Sequence, residues 1–483
     1  MSKIHSMMDM GKRSMMNNQT ALQTVGHNIA NKSTEGYSRQ RVEITAAEPT
    51  GLGKDRIGNG SKTAQVTRTN NPFLERQIGF ESGKRGYYKG QNEAMTRVEQ
   101  VYNEQSNKGL NTFVGDFFNS IREFANTPES LATRTQVRES ASFMAKDFQR
   151  VDKQLKDIAA DLDSQVGSLV HDVNGITSEI AKLNAEIHLV TAQGGPANDE
   201  RDRRDLLIKQ LGEKINIKWA EGRDGTVTIN AGNSALLVAG DDAKRLEARA
   251  TPANDKKREG SFDVFYFNNE HSSPIRVTEQ LTGGQIGGVL ETRDKTIVGL
   301  MKKNDEMAYA LANSVNDLHG QGFDAYGHQG NEFFETPMDV EGAAANLRLN
   351  EAIMKDPGRI AGAAVANSPA DNRVANAISQ LQYQSVIGSA DEMPGAQKSA
   401  TIDEFYNSIV GEVGIQSKGA QNAEANQDNI VKQLSNLRES ISGVSLDEET
   451  QKMIEFQKGF EASARIIKTA DEMFDTVLNL KRL

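Results

Sequence analysis

Residues 137–190 read VRESASFMAKDFQRVDKQLKDIAADLDSQVGSLVHDVNGITSEIAKLNAEIHLV. Stepping by four and three from Val137 lands on Ala141, Met144, Phe148, Val151, Leu155, Ile158, Leu162, Val166, Leu169, Val173, Ile176, Ile180, Leu183, Ile187 and Val190, apolar at every position. A repeat averaging 3.5 residues draws one continuous stripe along a helix and calls for partner helices beside it. The single 4–4 pair, Ile158–Leu162–Val166, is a stutter that locally unwinds the supercoil. Upstream, Thr127, Pro128 and Glu129 supply a cap, a first-turn proline and a first-turn acid, so the helix is expected to start there or one turn later. Gly194-Gly195-Pro196 stops the helix. About 60 residues at roughly 1.5 Å each make a rod of roughly 90 Å, too long to sit inside a globule. Its partners are expected among 72–105, 109–126, 286–318 and 403–440, all rich in helix formers.

The same stepping organises both ends of the chain. Near the N-terminus it visits Ile4, Met8, Gly11, Met15, Asn18, Leu22, Val25 and Ile29; near the C-terminus, Met453, Phe456, Phe460, Ser463, Ile467, Ala470, Phe474 and Val477. Gly11, Asn18 and Ser463 weaken these seams, so each helix is expected to need neighbours. Ser445 and Glu448 have capping-box spacing, with Asp447 and Glu449 as first-turn acids. Both termini therefore read as amphipathic helices with one narrow apolar stripe each, which either pack together inside one domain or pair and also meet other subunits.

Composition agrees with an elongated object. Of 483 residues, 37% are hydrophobic and only 10 are proline, which leaves room for long unbroken helices. A net charge of −10 argues against a nucleic-acid protein. No cysteine is present, which excludes disulfides, thiolate metal sites and cysteine nucleophiles. No run approaches the roughly 18 apolar residues of a membrane span, and the N-terminus lacks a secretory apolar region. Membrane insertion is not expected.

Beyond Pro196 the pattern changes. The charged start Asp199–Asp205 leads into Leu206-Leu207, after which Ile215, Ile217 and Trp219 alternate with polar residues at the strand period. Asp224-Gly225 signals a hairpin before a strand at 226–229. Further strands are predicted at 234–239, 262–267 and 274–278, with 249–261 a solvated loop. Residues 337–400 are mixed, with strands predicted near 346–350 and 360–366 and loops at Pro357, Pro369 and Pro394.

Signals for chemistry are absent. Gly58-Asn59-Gly60-Ser61-Lys62 is too short for a phosphate-binding loop and reads as a turn. The histidines (His5, His27, His171, His188, His271, His319 and His328) form no close ligand pair. His319, Asp324 and His328 share the stretch HGQGFDAYGHQG; an Asp- and Gly-built loop is the favoured reading, a metal site the lesser one. No Gly-x-Ser-x-Gly elbow occurs and no acidic pair stands out. No catalytic residue, cofactor or metal ligand is assigned.

Residues 28–41, NIANKSTEGYSRQR, resemble the ANxxTxGY signature of bacterial flagellar axial proteins, carried here by Asn28, Asn31, Thr34, Gly36, Tyr37 and Arg39. The run is physically coherent: Asn28 and Asn31 can bond freed backbone groups at a helix end, and Gly36 permits positive φ. Tyr37 then packs while a strand Gln40-Val42-Ile44 begins. Three further features point within that family to the hook–filament junction branch. They are Gly-Tyr-Ser-Arg-Gln at 36–40, the stretch 283–334 ending in NEFF, and the C-terminal run 443–480.

The resemblance implies a mainly α, elongated, multidomain axial protein with paired terminal helices, a long helical bundle and a smaller β-rich outer insert. The division expected is 1–40 plus 441–483 as terminal coiled coil, 41–214 plus 281–440 as helical rod, and 215–280 as insert, with 337–400 belonging to the rod or the outer part. It implies a structural subunit, exported by the flagellar type III apparatus and assembled as a ring at the hook tip. The implied partners are copies of itself, the hook protein, the second junction protein, an export chaperone and the export apparatus. The implied location is cytoplasmic before export and extracellular on the flagellum afterwards. The competing readings are a hook or rod subunit, and an axial scaffold carrying a cell-wall hydrolase.

Overall fold

The computed structural model describes residues 2–49, 58–102, 109–251, 260–269, 273–335, 339–388 and 399–480. His271, Pro394 and most of the 249–261 stretch lie outside these. Helix makes up 66% of the chain and strand 12%, so the fold is mainly α with a smaller sheet part.

The central helix is α4, Leu131–Ala192, capped by Ser130, whose hydroxyl accepts from the Thr133 N–H. The chain thus enters the helix one turn after Thr127, where the hydroxyl is spent on Glu123 O instead. Every seam residue from Val137 to Val190 is buried except Ile158, Ile176 and Val190, which are half-buried. Past the stutter the buried face drifts, and Thr177 rather than Ile176 is fully covered.

Ahead of α4 stand α1 (Ser2–Ala30), the bulged hairpin β1 (Gln40–Ala46) and β2 (Ser61–Arg68), α2 (Pro72–Val101) and α3 (Leu110–Asn126). Helix α3 packs along α4, as does α5 (Asn198–Lys214). Helix α2 is built for close approach, with small buried residues every fourth position at Ser82, Gly86, Gly90 and Ala94. A Cβ on Gly86 would stand 1.9 Å from the Glu213 carbonyl oxygen, and one on Gly90 2.5 Å from that of Gln285. Only glycine lets those backbones meet. On another side α2 carries α11 (Ile402–Ser442), which runs antiparallel to it. Helix α11 therefore lies chiefly on α2 and not along the central rod, where the sequence reading had placed a partner.

The β-rich section contains two antiparallel sheets, β3-β4-β5-β6 and β7-β8-β9. Their ranges are β3 Ile217–Glu221, β4 Val227–Ala231, β5 Ala235–Ala239, β6 Asp242–Ala243, β7 Arg245–Ala250, β8 Phe262–Phe267 and β9 Ile275–Arg276. Gly225, at φ +81, turns β3 into β4 as expected. Two expectations need correction. Strand β7 occupies the start of the supposed loop at 249, and the 274–278 strand shrinks to two residues because the turn Thr278–Gln280 begins at once. Polar residues of α4 dock these strands: Asn184 brackets Val227 through both its amide groups, Asn174 does the same for Leu246, and Asp163 accepts from Phe262 N.

A helical run, α6 (Gly284–Glu291) then α7 (Val298–His319), is interrupted by a π turn over Thr292–Ile297. The π turn carries Arg293, which reaches the buried Asp163 at 2.6 Å and the Phe262 carbonyl at 2.8 Å. Between 337 and 400 the strands expected near 346–350 and 360–366 are only single bridges, Phe334–Leu349 and Phe323–Ala363. Short helices α8 (Ala343–Asn346), α9 (Glu351–Lys355) and α10 (Arg373–Gln380) fill the region instead. Helix α12, Leu446–Leu480, completes the chain. One continuous apolar core joins α2, α3, α4, the insert strands, α7, α10 and α11; it includes no residue of α1 or α12.

Candidate functional site

Helices α1 and α12 form an antiparallel pair. His5 stacks near Phe474, a Cβ on Gly11 would meet Ile467 Cγ1 at 2.8 Å, Ser14 bonds Ser463 at 2.8 Å, and a Cβ on Gly459 would meet Asn18 Oδ1 at 2.7 Å. The small and polar seam positions are thus where the helices touch most closely. Ser463 is 2% exposed and hydrogen-bonded. The larger seam residues flank that line: Val25 is buried, while Ile4, Met8, Met15, Leu22, Ile29, Met453, Phe456, Phe460, Ile467 and Phe474 are half-buried. Val477 is 39% exposed. Half-burial along a whole seam leaves apolar area uncovered in the single chain.

At the base of this pair, residues 28–39 tie five elements together. Asn28 is buried; its Oδ1 accepts from Gln40 N at 2.9 Å and from the Tyr37 hydroxyl at 2.7 Å. Its Nδ2 donates to Gln40 O and to Glu449 Oε2 at 2.8 Å. One side chain thereby fixes the end of α1, the start of β1 and the first turn of α12. Asn31 donates back to the His27 carbonyl at 3.1 Å, and Thr34 donates to Asn31 Oδ1 at 3.2 Å, holding the turn. Gly36 sits at φ +82 against Leu206 of α5, where a side chain is disfavoured twice over.

Arg39 carries the charge. Its Nε donates to Glu449 Oε1 at 2.8 Å, and Nη1 reaches Glu448 at 2.8 Å. Its backbone N–H donates to Ser442 O, so the end of α11 is held too. Arg438 of α11 donates to the carbonyls of Gly36 and Tyr37 and pairs with Glu75 of α2. Ser38 N donates to Asp202 of α5, which Arg68 of β2 also holds at 2.7 Å. Burial, with Asp199, Asp202 and Glu449 nearby, pushes the Tyr37 phenol far up, so it remains a neutral donor to Asn28. Burial also raises Asp202 above the usual carboxylate range, against the pull of Arg68 and the Ser38 N–H.

Sequence reasoning missed Glu449, Asp202, Arg438 and Asn17. Glu449 read as an ordinary first-turn acid, and Asp202 as one charge in a run of seven residues; neither carries a signal of burial. Asn17 pins β2 to α1 through Ser61 and Thr63.

The histidine loop is a folded turn. His319 is buried, its Nε2 accepting from Ala361 N at 2.8 Å and its Nδ1 bonded to Asn331 O. Both ring nitrogens are thus engaged. Asp324 Oδ1 caps Tyr326 N and His328 N at 2.8 Å each, and its other oxygen faces Arg359. Among the described residues no cluster of metal-ligating side chains occurs, and no helix is long and apolar enough to cross a membrane.

The chain matches the family model of the flagellar hook-associated protein FlgK helical domain over residues 95–334, and that of the flagellar basal body rod FlgEFG protein C-terminal over 438–480. It is 27% identical to flagellar hook-associated protein 1 of Bacillus subtilis (strain 168), over 98% of this chain and 97% of the relative. To the protein of that name from Salmonella typhimurium it is 24% identical, over 96% and 97%. The structure of the flagellar hook junction protein FlgK from Burkholderia pseudomallei superimposes with a TM-score of 0.66 at 14% identity, covering 76% of this chain and all of that one. That likeness is one of fold.

Proposed function

The chain belongs to the flagellar hook-associated protein 1 family, and on that premise we propose that it is a structural subunit of the bacterial flagellum joining the hook to the filament. The observation that carries the reading is the joint: an antiparallel terminal pair, outside the main core, tied to a helical body by Asn28, Arg39 and Glu449. Terminal helices with half-covered seams are what a tube of many chains needs, since neighbours supply the missing contacts.

On this reading the seam residues of α1 and α12 meet other subunits, and the 28–39 motif sets the angle between the terminal pair and the body. The division into a terminal unit (1–40 with 441–483), a helical rod and the 215–280 insert follows the same logic. The chain is exported unfolded through the type III apparatus, guarded by a chaperone, and assembles as a ring between hook protein and second junction protein outside the cell. It performs no catalysis. The match of 95–334 to the helical domain of hook-associated proteins favours this role over a hook or rod subunit, whose C-terminal segment it shares.

Cells lacking the protein test the proposal. They should carry hooks without filaments and release filament subunits into the medium; normal filaments would refute it. A peptidoglycan zymogram of the purified chain should stay blank, and clearing would revive the hydrolase reading.

A further inference from the structure

A groove of about 560 Å³ runs between α2, α5 and β3. Its walls include Phe80, 63% exposed, and Trp219, and its floor is opened by Gly79, Gly83 and Gly212. Charged side chains, among them Arg76, Lys84, Asp205 and Lys209, also line the groove. A trough with apolar walls, wide at its glycines and rimmed by polar groups, suits a helix whose apolar ridge is bordered by uncharged polar side chains.

The chain carries such a ridge. On α11, Ile430, Leu437 and Ile441 are 41%, 49% and 41% exposed, with Leu434 between them at heptad spacing. The flanking side chains Asn429, Gln433 and Asn436 are exposed amides, and no charge borders the stripe on that side. Ridge and groove also share a level. The ion pairs Glu75–Arg438 and Arg85–Asp428 set α11 against α2, so that Ile430 to Ile441 lie within about a turn of the α2 segment that lines the groove. Of the α2 residues, Gly79, Phe80 and Gly83 line the groove roughly half a helical turn from Glu81, which bonds Gln427 of α11, while Glu75 lies at the groove edge and pairs with Arg438. No residue of α11 lines the groove, so ridge and groove are separate surfaces at one height.

We propose that the occupant of the groove is the Ile430–Ile441 ridge of a second copy of this chain. Two unlike, complementary patches at the same height make a head-to-tail contact, which closes into a ring or winds into a helix and does not stop at a two-fold dimer. The proposal rests on the chain acting as an assembled axial subunit.

The absence of cysteine makes the test direct. Flagella isolated from cells expressing the Phe80→Cys, Leu437→Cys double variant should give a ladder of disulfide-linked multimers on oxidation, and each single variant none. Dimers from Phe80→Cys alone would mean groove meets groove, and would overturn the proposal. So would cross-linking of Phe80→Cys to Met473→Cys on α12, or hooks that carry filaments yet give no ladder. That last result removes this interface and leaves the junction role standing, whereas hooks and filaments normal in the absence of the protein would remove the role itself. As a second readout, Ile430→Glu added to the double variant should cut ladder formation roughly tenfold or more, the scale of losing one anchoring side chain. Its circular dichroism and melting should be unchanged. Trp219, the only tryptophan, reports occupancy: its emission should shift to the blue in cross-linked multimers. An unchanged spectrum would place the contact elsewhere.

Discussion

Glu449→Gln removes one charge at the joint and nothing else in shape. In the parent the carboxylate is 1% exposed and receives Asn28 Nδ2 at 2.8 Å and Arg39 Nε at 2.8 Å, with Arg39 Nη2 at 2.7 Å. A glutamine offers one carbonyl oxygen and one NH2 group. Whichever way the amide turns, its NH2 faces a donor, either Asn28 or the guanidinium. Leaving one buried donor unmet costs roughly 1–3 kcal/mol. Breaking a fully buried ion pair costs about 3–5 kcal/mol. Arg39 is 17% exposed and retains Glu448 at 2.8 Å, which offsets part of the second figure. The expected loss is about 2–3 kcal/mol.

Because the main core includes no residue of α1 or α12, this loss should be local. Native-state hydrogen exchange should accelerate roughly 30- to 150-fold in α12 and in the end of α1, while α4 is unchanged. Glu448→Gln, at a side chain 61% exposed, should have little effect. Equal acceleration in α4 would show the terminal pair to be one cooperative unit with the body. No acceleration anywhere would show that the joint does not hold it. Either result would refute the reasoning.

Gly86→Ala should lower the melting temperature by the equivalent of about 1–3 kcal/mol, because its Cβ would collide with a backbone oxygen; the usual gain of glycine-to-alanine in a helix has the opposite sign, so thermal unfolding decides between them. His319, lowered by burial to about 4 from an ordinary 6.5, takes up a proton on unfolding. Its stabilising contribution is therefore present above about pH 6.5 and is lost as pH falls toward 4, by roughly 3 kcal/mol in all; urea midpoints between pH 7.5 and 4 should fall in the parent and fall less in His319→Gln. Ile467→Lys should abolish motility and filaments with the melting of the body unchanged, since the seam lies outside the main core; a large drop in melting temperature would make it an ordinary core position. Deletion of 440–483 should end co-purification with a small helical chaperone, and retained binding would move the docking site elsewhere.

Periodicity was legible where burial repeats. The seam from Val137 to Ile187 is visible in one dimension because a helix turns every 3.6 residues and each turn meets the same wall. The terminal seams were legible for the same reason, but their weak points were misjudged in kind. Gly11, Asn18 and Ser463 interrupt an apolar count, yet they are where two backbones come closest. Residues 337–400 were misread as strand-bearing because short apolar runs fit strand and helix alike; the single bridges at Leu349 and Ala363 are set by Phe334 and Phe323, which arrive from earlier in the chain.

By itself, then, the sequence determined the rod, the two amphipathic ends, the hairpin at Gly225 and the motif around Asn28, all features written in local spacing or backbone stereochemistry. Only the tertiary structure decided which charges are buried. Glu449 meets Asn28 and Arg39 across more than 400 positions of chain, and Asp202 meets Ser38 and Arg68 across more than 100. Such pairs leave no periodic trace, because a carboxylate in the first turn of a helix looks the same whether water or an arginine from the far end of the molecule satisfies it.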